Sequence, residues 1–374
     1  REYHIMKHVL TVLGLAGALT FAGIGASLAG GHTITPQEKK LIAGAKAEGS
    51  VTLINPLISD RTAKILQKKF REYYGLGSGF KYNNLRKGTG ATAAQVRQEI
   101  KAGKFTVDSI MVGAPPFFAA AAKKGAFLKL DSGQWKHSEK LAKKYGQYTN
   151  YPYTVVTVGY SFQPVWNTAC PGMENFNVTS YEDVLKPSLN KKGISSDISK
   201  SFTYTNTVIA LEEAGAVDFN KFWPRLKKIN PIVEFRTEPK MQMVISCQQP
   251  LDMWNLAGRV YQNVVKKPDL KDKIKIGTYK EGQVLLGNQI AVLKGANNPN
   301  AAKLLIEFML SEAGQEVMVE GEAQYSFREG FSSKSGGGAY LSDLSKVKVI
   351  GMKDWVGASK KYKSTRGVWL KNFR

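Results

Sequence analysis

The residues best suited to chemistry here are polar groups on loops, and that chemistry is hydrogen bonding to a small ligand. Ser59 follows a strand pattern at 50–55, and Arg86 and Thr89 follow another at 80–85. Ser199 and Ser201 belong to a hydroxyl-dense loop after a short strand pattern at 193–197. Trp254 and Asn255 end a further short strand that begins near Cys247. Tyr160 lies inside a long apolar stretch at 153–167. Hydroxyls and a guanidinium donate to ligand oxygens, while indole and phenol rings cover apolar surface. Each residue taken singly also reads as a helix cap, a solvated charge or core. Convergence of several loops is what favours a site.

Bond-making sets are missing from the pattern. There is no Gly-x-Ser-x-Gly and no His-Glu-x-x-His. Beyond the N-terminal region the only histidines are His32 and His137, and the cysteines are Cys170 and Cys247. These are too few and too scattered for a zinc site of ordinary spacing. No catalytic residue, cofactor or resident metal is expected.

The elements that position the loops alternate. A helix at 36–47 precedes the strand at 50–55, and Ala63, Leu66, Phe70 and Tyr73 recur on one helical face. The strand at 80–85 leads to a helix that Thr89 is expected to cap, with Ala93, Val96 and Ile100 inward. A strand at 106–112 and a Pro-led helix after Pro116 complete a strand–helix series. Such a series predicts a parallel sheet with right-handed crossovers, and ligands sit off the carboxyl ends of its strands. The exit loops 55–59, 86–89 and 113–116 therefore share one edge.

The stretch 153–167 reads as one strand too long for an ordinary sheet, leaving one α/β lobe for another. After it come a capping-box helix from Ser180 that ends before Pro187, helices at 218–228 and 239–244, and a returning strand at 274–279. A second extended segment, 284–293, precedes a helix with Asn298 as cap and Pro299 at its start. Residues 335–338 read as a flexible break before a tail that Trp355 and Trp369 should pack down. Lobe I is then 36–155 with 283–330, and lobe II is 156–282 with 331–374.

Composition bounds the class. The 374 residues are 43% hydrophobic and 22% charged, which suits two ordinary globular domains. Net charge is +23, but the lysines are spread out, with no zinc-finger or arginine-rich module, so no nucleic-acid partner is expected. Met6-Lys7-His8 before an uncharged apolar run at 9–26, then Ser27 and Ala29, reads as a secretory leader spanning 1–29, with residues 1–5 upstream of the true start. Export leaves Cys170 and Cys247 open to a disulfide or to two buried thiols.

Three segments carry a family resemblance. Lys46-Ala-Glu-Gly-Ser-Val51 and Arg86-Lys-Gly-Thr-Gly90, leading into Val96-Arg-Gln-Glu-Ile100, are similar to bacterial extracellular solute-binding proteins of ABC importers. Asn298-Pro-Asn-Ala-Ala-Lys-Leu-Leu-Ile-Glu-Phe-Met-Leu-Ser-Glu-Ala-Gly-Gln315 closely resembles a recurrent helix-turn segment of that family. The nearest branch is that of ferric-ion and organic-anion binders. The resemblance implies a type II periplasmic-binding fold, α/β throughout, whose two lobes close on one ligand and deliver it to a membrane permease. It implies a monomer working in the periplasm. Ferric members usually carry adjacent tyrosines near the region 254–261, which here holds Trp254 and Tyr261 but no pair. The expected ligand is therefore an organic or phosphorylated anion. Ser59, Arg86, Thr89, Ser199, Ser201 and Asn255 would surround it, with Tyr160 and Trp254 over its apolar part. Ferric iron is the alternative, with Tyr325 as a donor, and a secreted hydrolase is a remote one.

Overall fold

The computed structural model describes residues 33–374. The expected leader and His32 lie outside the described residues. In chain order the first strands are β1 (Ser50–Asn55), β2 (Lys81–Arg86), β3 (Ser109–Val112), β4 (Val155–Tyr160), β5 (Gln163–Asn167) and β6 (Gly193–Ser196). The rest are β7 (Ile232–Glu234), β8 (Leu251–Asn255), β9 (Ile274–Ile276), β10 (Gln283–Val284), β11 (Leu286–Val292), β12 (Tyr325–Ser326) and β13 (Val349–Ile350).

They form two mixed sheets. One has the order β12-β4-β11-β3-β1-β2, the other β7-β6-β8-β5-β9, and β10 pairs with β13 apart from both. In the first, β1 runs parallel to β2 and β3, while β11 is antiparallel to β3 and β4. In the second, β6 is parallel to β7 and β8, while β5 is antiparallel to β8 and β9. Each sheet has its own core, because helices cover it with apolar faces. Leu53, Phe70, Val292 and Phe308 are buried in the first. Trp166, Trp223, Trp254 and Trp369 are buried in the second.

The stretch 153–167 is two strands, not one. β4 belongs to the first sheet and β5 to the second, with Ser161 and Phe162 between them. Both strands and both linking residues are buried, so hydrophobicity runs unbroken and hides the break between the two strands, although the passage from one sheet to the other is as expected. The return passes from β9 through the β10–β13 pair to β11, which carries the chain back to the first sheet.

Other expectations change in detail. The helix expected from Ser180 up to Pro187 is a 3-10 turn, Asp183–Leu185, with the Asp183 carboxylate accepting from the Thr179 and Ser180 amides. Asn298 precedes helix Pro299–Leu310 without capping it, since its amide and side chain both donate to Asp108. The segment expected as a flexible break forms a 3-10 turn, Gly336–Tyr340. A Cβ at Gly337 would lie 2.6 Å from the Ala323 nitrogen, so glycine is there for close packing. Trp355 and Trp369 are buried, and the last helix, Tyr362–Phe373, bonds to helix Phe202–Glu213 through Tyr362 and Asn206.

Cys170 and Cys247 form a disulfide with a Cα separation of 5.4 Å. It ties the turn after β5 to the turn before β8 across 77 residues of sequence. A cross-link over so long a loop restricts the unfolded chain. Replacing both cysteines with alanine should lower unfolding free energy by about 2–4 kcal/mol in urea melts. An unchanged midpoint would show that the bond contributes nothing to stability.

Candidate ligand-binding cleft

A cleft of about 610 Å³ opens where segments from both sheets meet. Pro56, Leu57 and residues 88–91 line it from the first-sheet side. The run 200–204, the run 235–239, Leu256 and Arg259 line it from the second-sheet side, and Tyr160 and Phe162 from the crossing between them.

The lining is made largely of helix beginnings. Helices Thr89–Ala102, Phe202–Glu213, Thr237–Ile245 and Ala257–Lys266 all present their first turns to the cleft. A helix start carries free N–H groups and partial positive charge, normally answered by a capping side chain. Ser201 does this for the second helix, accepting from the Tyr204 amide at 3.3 Å. The other three begin at Gly88, Arg236 and Leu256, and none has a side-chain cap. Thr89, expected as a cap, is instead the first helical residue.

The charges near these ends are mainly positive. Arg259 stands in the first turn of its helix, where a cation is disfavoured. Its Nε donates to Thr237 Oγ1 at 3.0 Å and its Nη1 to Gln262 Oε1 at 2.7 Å. The nearest carboxylate oxygen, on Glu238, is 3.9 Å from Nε. Burial, then the charge of Arg86, push Arg259 below the ordinary arginine range. Arg236 is held by Glu234 at 3.1 Å, and Lys200 lies 3.7 Å from Asp197. Apolar surface accompanies the charge. Phe202 and Phe235 are large hydrophobics left exposed, and both line the cleft.

Of the residues read from the sequence, Thr89, Tyr160 and Ser201 come together in the lining. Burial pushes the Tyr160 hydroxyl above its ordinary range, so the phenol is neutral at pH 7. Arg86 is exposed at the end of β2, its Nε 3.4 Å from the carbonyl of cleft residue Pro56. Ser199 bonds to Asp197, and Ser59 bonds to Glu322; neither lines the cleft. Trp254 and Asn255 are fully buried: Trp254 Nε1 donates to Tyr181 Oη at 2.9 Å, and Asn255 Nδ2 to Asp252 Oδ2 at 2.8 Å. Their side chains alternate into the interior along β8, which a strand-end reading cannot distinguish from a ligand-facing loop. Tyr325 is buried against Gln283 and Ser342.

Sequence reading missed Arg259, Tyr204, Phe202 and Phe235. A signal for Arg259 existed, because an arginine in a helix's first turn opposes the dipole and calls for an anion.

Beneath the cleft, Lys240 is wholly buried. Its Nζ donates to Ser196 Oγ at 2.7 Å, to Asp252 Oδ1 at 3.1 Å and to the Trp254 carbonyl. Burial by itself would push Lys240 down, but Asp252 and Tyr204 outweigh it and hold the ammonium charged. The lysine thus ties the ends of β6 and β8 to the first turns of helix Thr237–Ile245. Trp254 serves this network with its carbonyl while its ring packs on Tyr204.

Comparison with known proteins agrees with this architecture. Residues 107–334 match the family model of the bacterial extracellular solute-binding proteins. The chain therefore belongs to that family and is a solute-binding protein rather than an enzyme. A search of curated protein sequences finds no match. Similar solved structures include iron-bound HitA from Pseudomonas aeruginosa, with a TM-score of 0.63 and 17% identity over 86% of this chain and 99% of that one. AfuA from Actinobacillus pleuropneumoniae, with fructose-6-phosphate bound, gives 0.67 and 16% over 86% and 98%. The substrate-binding protein of an ABC transporter from Agrobacterium tumefaciens gives 0.68 and 14% over 88% and 96%. At these identities the likeness carries the fold, that of type II periplasmic binding proteins.

Replacing Lys240 with methionine would leave Asp252 as an unpaired buried charge. Urea unfolding should then show a loss of about 3–5 kcal/mol. A variant as stable as the parent would mean that the pair does not hold the cleft floor.

Proposed function

We propose that this protein captures a small organic anion, phosphorylated or carboxylated, and hands it to its transporter's permease. The observation that carries the reading is the set of three uncapped helix starts around one cleft. Free N–H groups and an arginine with no carboxylate in hydrogen-bond reach form a ready oxyanion cradle. Exposed Phe202 and Phe235 supply a wall for the apolar part of the ligand. In this reading the two sheets, each with its helices, are the two lobes; the boundary expected at 155–156 moves to 161–162, because β4 pairs within the first sheet as far as Tyr160. The crossings at 161–162 and 277–285 are the hinge, and closure buries the anion between the lobes. The protein works as a monomer in the periplasm after loss of residues 1–29, and binds no nucleic acid.

Ferric iron is the second reading. Tyr160 and Tyr204 bring two phenols to the same cleft, with the Glu238 carboxylate. Hard oxygen donors suit that ion, and a similar structure is iron-bound. Burial pushes both phenols away from the phenolate form that iron requires, which places the anion first.

A thermal-shift screen separates the two. The panel is phenyl phosphate, glycerol 3-phosphate, citrate, thiamin and ferric nitrilotriacetate. A ligand that binds only the native state raises Tm by mass action. An organic phosphate or carboxylate should raise it, and Arg259→Ala should weaken that ligand roughly 10- to 100-fold. A shift with the ferric salt alone, together with a visible charge-transfer band, would overturn the anion reading.

A further inference from the structure

The guanidinium of Arg259 has a second tether besides Thr237. Its Nη1 donates to Gln262 Oε1 at 2.7 Å, one turn further along the same helix. The amide of Gln262 then donates through Nε2 to Glu322 Oε2, also at 2.7 Å. Glu322 ends helix Glu312–Glu322, which packs in the core of the first sheet, whereas Arg259 and Gln262 belong to the helix after β8 of the second. The Gln262 amide therefore bridges the boundary between the two units.

The far end of this chain is firmly held. Glu322 is 2% exposed, and its Oε1 accepts from the Ser59 amide at 2.7 Å and from Ser59 Oγ at 2.6 Å. Ser59 is the N-cap of helix Asp60–Tyr74, so the carboxylate sits at the positive end of that helix. The backbones also meet closely here. A Cβ on Gly258 would lie 2.6 Å from the Glu322 carbonyl oxygen, which explains glycine beside Arg259. A half-buried amide between a cleft arginine and a buried carboxylate has one consistent orientation, oxygen to the arginine and nitrogen to the carboxylate.

We propose that Gln262 and Glu322 are positioning residues that aim Arg259 into the cleft across the boundary between the two units. Thr237 holds Nε of Arg259 from within its own unit, but the second tether, through Gln262, lasts only while the helix after β8 is seated on helix Glu312–Glu322. Ligand contact at Arg259 and the seating of the units are thereby linked, and linkage is reciprocal. Ser59, which the sequence offered as a ligand contact, acts through this chain instead. The inference rests on the anion reading only for the identity of the bound group; the positioning itself is a property of the free protein.

The test uses phenylglyoxal, which modifies accessible arginines, on the full-length chain without ligand. The modification rate at Arg259 is read by peptide mass spectrometry, with Arg71 as the internal reference. Gln262→Met and Glu322→Gln should each raise the rate at Arg259 threefold or more and leave that at Arg71 unchanged. Circular dichroism melts identify any variant that has lost its fold, and Gln262→Met, on a partly exposed helical position, gives the decision if Glu322→Gln unfolds. Equal rates in Gln262→Met and the parent would overturn the positioning role. A faster rate in Gln262→Met beside a folded Glu322→Gln at the parental rate would overturn its cross-unit part. In a separate arm, phenyl phosphate should protect Arg259 in the parent protein. Loss of that protection would count against the anion reading while the rate comparison still decides the positioning.

Discussion

A helix that begins without a capping side chain leaves backbone N–H groups exposed at its positive end, and the cleft gathers three such beginnings. Most proteins answer that demand locally, as Ser59 and Ser201 do here for their own helices. Gly88, Arg236 and Leu256 do not, and Arg259 adds positive charge where the dipole already disfavours it. The folded chain tolerates this arrangement because Thr237 and Gln262 hold Arg259 and because Lys240 and Asp252 fix the floor below. An anion would satisfy all of these ends together. The other features of the site follow from that shortage of negative charge.

The arrangement depends in turn on how the chain moves between sheets. β4 and β5 lie in different sheets with only Ser161 and Phe162 between them, and the return runs through β10 and β11. Connections this short bring the carboxyl ends of parallel strands from both sheets toward one cleft. Helices that follow β2, β6, β7 and β8 then start on its walls. The tail closes the design: β13 pairs with β10 in the returning segment, and Trp355 Nε1 donates to the Gly146 carbonyl at 2.5 Å.

Much of the fold was legible. The strand at 50–55, the amphipathic helix after it and the buried face at Ala301, Leu304, Leu305 and Phe308 follow directly from periodicity, which burial enforces. The break in 153–167 was not legible, because a strand buried in one sheet and a strand buried in another have the same composition. The site was half legible. Thr89, Tyr160 and Ser201 reach the cleft lining because they belong to strand exits and to the crossing. Trp254 and Asn255 share the same local pattern, yet their side chains turn into a buried network around Lys240 and Asp252. Which way a side chain turns at a strand end is set by the tertiary partners, and those are distant in sequence. Arg259 was missed because its meaning depends on where its helix starts, the least certain part of any sequence reading.

An oxyanion cleft should take up selenate, and an anomalous difference map from crystals grown with selenate shows where that anion sits. The anion reading predicts a selenium peak bounded by residues 88–91, residues 237–239 and Arg259, with guanidinium and amide nitrogens at hydrogen-bond distance from its oxygens. A map with selenium only at surface lysines, and none at these helix starts, would contradict it.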